Sequence, residues 1–249
     1  MKKRFFNSTF NIVFLRCSVK AIIGGTSLLS SSVFKEWEEC LVATPYGEVC
    51  LKTTADFVFL QRHGMDQVPP HRINHRAHIR ALKERGVEEV VAINSVGSLK
   101  TTIKPGMFVI PDDFISPWEI PTFFDDEMRF TVPRMDEDLA ATLYKACRGL
   151  GLEVVKGGTY VQTRGPRFET RAEIRMFRRF GDVVGMTMAS EATLCCEYAM
   201  PYASLCCIDN YCHGIIKRPL TVDEINEHVA KNAAKIERAI GALLAGGLP

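Results

Sequence analysis

Apolar residues along this chain fall into short runs that end in glycine or polar residues, and these alternate with stretches of helical spacing. VKAIIGG (19–25) is a β-rich run closing on two glycines, and DFVFLQRHG (56–64) turns polar only at its carboxyl end. VEEVVAINSVGSL (87–99) and PYASLCCIDNY (201–211) behave alike, becoming polar at Asn94-Ser95 and at Asp209-Asn210. GMFVIPDDFI (106–115), GGTYVQTRG (157–165) and DVVGMTMASE (182–191) complete the predicted strands. Between them, Ile73, Ala77 and Leu82 predict a helix over 73–86 stopped by Gly86, and 135–151 reads as an amphipathic helix ending at glycine. Helices are also predicted over 171–181, over 191–200 and over 221–245, the last opened by Thr221 with Glu224 three residues on, a capping box. Alternation of this kind predicts a single-domain α/β fold, a mixed, largely parallel sheet flanked by helices.

Composition narrows the class without changing the fold. The 249 residues are 47% hydrophobic with a net charge of +2, and Lys and Arg are scattered, so neither nucleic acid nor a membrane surface is expected as partner. Nine cysteines without framework spacing point to a reducing compartment, hence the cytoplasm. Cys206, Cys207, Cys212 and His213 lack a CxxC knuckle and read as buried thiols rather than a metal cluster. The opening MKKRFFNSTFNIVFLRC is interrupted by Asn7, Ser8, Thr9 and Asn11 and has no small-residue cleavage site. Residues 1–17 are therefore expected to be an extension and 18–249 the domain.

Polar residues gather where strands end. Thr26, Arg62-His63, Asn94-Ser95, Thr187 and Asp209-Asn210 each follow a buried strand, on the edge where open α/β sheets bind ligands. Arg with hydroxyls and a Gly-Gly turn suits an oxyanion, while GGTSLL lacks the Lys of a Walker A loop and the third Gly of a dinucleotide fingerprint. Free phosphate fits better than a nucleoside triphosphate. Strand-end Thr and Ser also serve as plain helix caps, so each hydroxyl alone carries little. In TRGPRFETRAEIRMF (163–177), Gly165-Pro166 bends the chain just before Phe168 and Glu169. With Asn210 these offer a stacking face and directional donors and acceptors for a planar heterocycle.

In order along the chain, IIGGTSLL, TPYGE, RHG…PPHRINHRAHIRALKERG, SVGSL…IKPGMFVIPDDFI, GGTYVQTRGPRFETRAEIR, DVVGMTMASEATLCCE and YASLCCIDNY resemble the trimeric purine nucleoside phosphorylase and methylthioadenosine phosphorylase family. The resemblance spans nearly the whole chain from Val19. It implies phosphorolysis of a purine nucleoside to free base and ribose 1-phosphate or its 5-methylthio analogue. It also implies inorganic phosphate as co-substrate, no metal or organic cofactor, and a homotrimer or dimer of trimers. By similarity, Thr26, Arg62, His63, Ser95 and Thr187 fall on phosphate-binding positions and Met186 beneath the ribose. Phe168 falls on the base-stacking position, Glu169 on the reader of the pyrimidine edge, and Asn210 on the group that meets N7 and the 6-substituent, with Asn210 and His63 as catalytic residues.

Members acting on 6-aminopurines place Asp where Asn210 aligns, so Asn210 with Glu169 resembles the 6-oxopurine type; the neighbouring Asp209 would restore an Asp after a one-residue shift. Val222 stands where nucleoside-specific members carry His, which suits a 5′-methylthio group. The chain departs from the family at Gln67, His75, His78 and Asn94, and its 116–135 stretch is shorter. Those departures keep open methylthioadenosine phosphorolysis and a nucleoside-binding paralogue without turnover as alternatives.

Overall fold

The computed structural model describes residues 19–29, 31–118 and 120–246; the N-terminal extension expected over 1–17 lies outside them. β1 (Val19–Gly24) leads through a 3-10 turn at Thr26–Leu28 into an antiparallel hairpin, β2 (Glu38–Thr44) and β3 (Gly47–Thr53). β4 (Phe57–Gln61), α1 (His75–Glu84) and the long β5 (Val87–Ser98) follow. Next come β6 (Phe108–Ile110), β7 (Asp113–Ile115), α2 (Glu137–Gly149), β8 (Val154–Lys156) and β9 (Thr159–Gln162). The chain finishes with α3 (Arg171–Phe177), β10 (Val183–Gly185), α4 (Met188–Glu197), β11 (Tyr202–Tyr211) and α5 (Val222–Gly246).

All the strands join one sheet, ordered β2-β3-β4-β1-β5-β10-β9-β7, with β11 beside β5 and carrying β6 and then β8. The centre is parallel, β1 with β4 and β5, and β5 with β11. Burial on both faces explains the continuous apolar runs, because side chains alternate across the sheet with a period of two. Ala21 and Ile23 enter the core covered by α1 and α4, whereas Ile22 between them enters the core covered by α2 and α5. Val90 and Ala92 likewise face one side and Val91 and Ile93 the other.

Three expectations change in the structure. The single strand expected over 106–115 is two strands in different places, β6 against β11 and β8 and β7 against β9, broken at Pro111, which has no N–H for a ladder. The strand expected over 182–191 ends at Gly185, and α4 begins at Met188 rather than 191. At the start of α5, Thr221 Oγ1 accepts from the Glu224 amide at 3.3 Å, but the Glu224 carboxylate lies 3.5 Å from Arg218, leaving half a capping box. The complete box is at α3, where Thr170 and Glu173 cap reciprocally.

Candidate functional site

A cavity of about 320 Å³ opens where β1, β4, β5, β10 and β11 end, walled by the Pro166–Glu169 turn and the first two turns of α5. Thr26, Arg62, His63, Ser95, Phe168, Glu169, Met186, Thr187, Asn210 and Val222 all line it. The sequence-predicted residues, drawn from seven separate parts of the chain, are thus brought to one place.

Arg62 is the anchor of the anion-suited end. Its guanidinium is 1% exposed, and Nε and Nη2 donate to the two Glu191 carboxylate oxygens at 2.5 and 3.0 Å. Nη1 donates to the Ile93 carbonyl at 3.0 Å, and the Tyr202 hydroxyl donates to Glu191 Oε2 at 2.9 Å. Burial works against the Arg62 charge, but the Glu191 carboxylate outweighs it and holds the pKa above the ordinary value. The Nη1 side of the fork passes beneath Gly25, where a Cβ would stand 2.5 Å from it; glycine is what lets the cation approach this turn. Glu191 was not singled out from sequence. Its signal is a carboxylate inside the apolar run TMASEATLCC, which must find a partner once buried.

The hydroxyls are not helix caps. Thr187 stands at the N-terminus of α4 without a side-chain cap bond; its Oγ1 instead accepts from Asn94 Nδ2 at 2.8 Å. The α4 amides that such a cap would serve are taken by the Tyr160 hydroxyl and by Gln162 Oε1. Asn94 is 1% exposed, and the Ser204 hydroxyl donates to its Oδ1 at 2.7 Å, which sets the amide's orientation. Because Asn94 fills a lone pair of Thr187, the Thr187 hydrogen is left to point elsewhere, and the cavity is its open side. Asn94, a departure from the family pattern, therefore supports the site from behind. Ser95 Oγ pairs with Ser27 Oγ at 2.6 Å, and Thr26 sits exposed on the turn.

This arrangement predicts an outcome for Asn94→Asp. A carboxylate there would accept from Thr187, turn the hydroxyl hydrogen toward itself and place a negative charge beside the end where the resemblance expects phosphate. KM for phosphate should rise about tenfold or more with little change in affinity for free purine. Steady-state kinetics at varied phosphate checks it, and an unchanged KM would remove Asn94 from the account.

His63 Nδ1–H donates to the Val68 carbonyl at 2.8 Å, leaving Nε2 as an acceptor, and burial lowers its pKa, so the imidazole is neutral at pH 7. Behind it on α1, desolvation pushes His75 and His78 down to about 3, and their buried Nδ1 atoms have no partner. In the unfolded chain both protonate near 6.5, so between about pH 6.5 and 3 the unfolded state binds more protons and stability falls with pH. Thermal unfolding across that range should show a shallower acid decline in His75→Asn or His78→Asn than in the parent chain.

At the other end, Gly165 adopts φ +67° and the Gly165–Pro166 peptide is cis. A Cβ at Gly165 would stand 2.5 Å from Met186 Sδ, so this glycine serves both the turn and the close approach to Met186. The turn leaves Phe168 half-exposed at the cavity and Glu169 8% exposed. Thr163 Oγ1 donates to Glu169 Oε1 at 2.6 Å, which leaves Oε2 to accept from a ligand. Glu169 precedes the α3 cap and turns inward, so its carboxylate is not spent on the helix start.

Asn210 faces Gly97, whose missing Cβ would lie 3.1 Å from Asn210 Nδ2 and 2.7 Å from Cys212 Sγ. The β5–β11 register shifts between Ile208 and Asn210, and Asp209 occupies the bulge. Asp209 Oδ1 accepts from Asn232 Nδ2 of α5 at 3.1 Å, its carbonyl accepts from His228 Nδ1 at 2.6 Å, and burial raises its pKa. The bulge thus sets Asn210 against Gly97 and ties Asp209 to Asn232 of α5, while both residues line the cavity. Val222 is 60% exposed at the mouth, and Ile225, Asn226 and Val229 continue its wall along α5. Among the described residues no helix is long and apolar enough to cross a membrane.

Residues 21–245 match the model of the phosphorylase superfamily. A probable 6-oxopurine nucleoside phosphorylase of Archaeoglobus fulgidus is 41% identical over 218 residues, covering 85% of this chain and 90% of its own. A probable S-methyl-5′-thioinosine phosphorylase of Methanocaldococcus jannaschii is 42% identical over 231 residues, covering 88% and 89%. Among solved structures, a methylthioadenosine phosphorylase from Schistosoma mansoni in complex with adenine superposes with a TM-score of 0.80 at 26% identity over 92% of both chains.

Proposed function

The chain belongs to the phosphorylase superfamily and is a purine nucleoside phosphorylase, and from that premise we propose that it prefers 6-oxopurine nucleosides, inosine or guanosine and their 5′-methylthio counterparts, to 6-aminopurines. The observation that carries this preference is the pairing of Asn210 with a buried Glu169 in one cavity. A 6-oxopurine presents an N1–H donor and an O6 acceptor. The open Glu169 oxygen accepts the first, and Asn210 Nδ2 donates to O6 or N7. A 6-aminopurine presents a bare N1, which would meet a carboxylate with no proton between them.

In this reading Thr26, Arg62, His63, Ser95 and Thr187 hold phosphate, Met186 underlies the ribose and Phe168 stacks on the base. The C1′–N9 bond breaks with its electron pair going to the purine, and a phosphate oxygen closes on C1′ of the oxocarbenium-like sugar. Phosphate held beneath the ring stabilises that cation before it bonds. Asn210 stabilises the charge growing on the imidazole side of the base, and the proton the purine gains is the one hydrogen phosphate gives up on becoming the sugar ester, exchanged through solvent. Inorganic phosphate is the co-substrate, and the chemistry asks for no metal or organic cofactor. The Val222, Ile225 and Val229 wall accommodates a thioether at C5′. Exposed Met128, Phe130 and Val132 are consistent with burial against further copies in a homotrimer or dimer of trimers, and the free thiols with the cytoplasm.

The test is hypoxanthine release from inosine with and without phosphate. Phosphate-dependent release with equimolar ribose 1-phosphate is expected; inosine binding without turnover would return the chain to a nucleoside-binding paralogue.

A further inference from the structure

Asp209 is a carboxylate held in the β11 bulge, 1% exposed, and it lines the cavity beside Asn210. Its Oδ1 accepts from Asn232 Nδ2 at 3.1 Å, while Oδ2 is buried and completes no hydrogen bond among the described residues. Burial raises the Asp209 pKa, and the Asn232 amide, the Ser95 hydroxyl and the Cys207 thiol act the other way by favouring the charged form. All three of those groups are donors. A carboxylate oxygen buried bare is costly, so the hydroxyl hydrogen beside it is drawn to it.

Ser95 is the one of these three donors that also lines the cavity. It pairs with Cys207 across the β5–β11 ladder, and Cys207 enters the core covered by α5, the helix that carries Asn232. On its other side, Ser27 Oγ lies 2.6 Å from Ser95 Oγ. A hydroxyl has one hydrogen. With the Ser95 hydrogen held by Asp209 Oδ2, Ser27 is the donor of the Ser27–Ser95 bond, and Ser95 keeps one lone pair for the cavity. Toward a ligand, Ser95 is then an acceptor only. His63 Nε2 is an acceptor as well, its Nδ1 hydrogen being spent on the Val68 carbonyl.

We propose that Asp209 is a positioning residue that fixes Ser95 as an acceptor, so that the anion end of the cavity selects an oxyanion carrying its own hydrogen, phosphate or arsenate, over sulfate. The proposal rests on the assignment of phosphate to that end. Near neutral pH phosphate carries one or two hydrogens, and either form has a P–O–H to give to Ser95 or His63. Sulfate has none, and its oxygens would meet these acceptors with no proton between them. A free hydroxyl would simply rotate to suit sulfate. One whose hydrogen is held by a buried carboxylate gives up that bond to do so, and the discrimination follows from that cost.

The test is calorimetric titration of the full chain with phosphate, arsenate and sulfate at one pH and one ionic strength, which needs no turnover. The parent chain should bind phosphate and arsenate alike and sulfate about tenfold or more weakly. Asp209→Asn keeps the acceptor for Asn232 but turns an N–H toward Ser95, which sends the Ser95 hydrogen into the cavity. Sulfate should then bind within about threefold of phosphate, with phosphate and arsenate still alike. Ser95→Ala, the milder change to the fold, should also narrow the gap, by weakening phosphate and arsenate and sparing sulfate. A sulfate-to-phosphate ratio equal in the parent chain and in a folded Asp209→Asn variant would overturn the proposal. So would a fall of all three anions by one common factor in Ser95→Ala, which leaves the phosphate assignment standing. Three affinities untouched by Ser95→Ala would remove Ser95 from the anion end, and the assignment and the proposal would fall together.

Discussion

Arg62→Ala should lower kcat/KM for phosphate by about a thousandfold and also destabilise the fold, the two effects arising from different halves of one ion pair. Truncation leaves Glu191 buried with no cation, and Tyr202 as its remaining donor. An uncompensated buried charge of this kind costs about 3–5 kcal/mol, which for a chain of this size lowers Tm by roughly 10 °C. Adding Glu191→Gln removes the stranded charge, so the double variant should regain most of the lost Tm. Phosphate affinity should stay lost, because the Nη1 side under Gly25 is still missing. Thermal unfolding and phosphate titration of the two variants separate the roles. A double variant that recovered phosphate KM together with Tm would make Arg62 a packing residue only.

The second large effect is expected at the base. Asn210→Asp replaces the proposed donor at O6 by a carboxylate in the same cavity as Glu169, and the two charges disfavour each other. Protonated, the new side chain could donate to N7 and accept from a 6-amino group; ionised, it repels O6. The ratio of inosine to adenosine turnover should therefore fall about a hundredfold or more. Asp209→Asn is the companion. Asp209 fills the β11 bulge, holds α5 through Asn232 and lines the same cavity. Asn keeps its size and its acceptor for Asn232, so the base ratio should stay in place if Asn210 is the reader. Kinetics with both nucleosides on each variant checks this, and a swing in base preference from Asp209→Asn would transfer the base-reading role to Asp209.

The residues of this site were legible in the sequence because a parallel sheet makes them so. Strands buried on both faces carry few polar side chains, so polar residues toward their carboxyl ends stand out. Arg62 does follow β4, but β5 runs on to Ser98 and β11 to Tyr211, so Ser95 and Asn210 lie within the strands rather than past them as expected. What escaped is what the apolar background conceals or tertiary contacts decide. β2 alternates only weakly, with Glu38, Glu39 and Leu41 exposed, and a solvent-facing hairpin of that kind leaves little signal. MASE is made largely of helix formers, and the strand reading runs past DVVG into it; Tyr160 and Gln162 take its first amides where α4 starts. Which of Asp209 and Asn210 pairs across to β5 depends on a bulge that no local pattern announces. Glu191 and Asn94 lie inside elements, where their worth comes from partners far away in sequence, Arg62, Thr187 and Ser204.

The central claim, that Glu169 and Asn210 select a 6-oxopurine, is tested most directly by competition. Equimolar inosine and adenosine, and in a second vessel equimolar methylthioinosine and methylthioadenosine, are offered to the enzyme at saturating phosphate and the released bases are followed together. Hypoxanthine appearing well ahead of adenine in both vessels is the predicted result. Adenine appearing first would contradict it, and would mean that the purine edge is read by a donor and acceptor set other than Glu169 and Asn210.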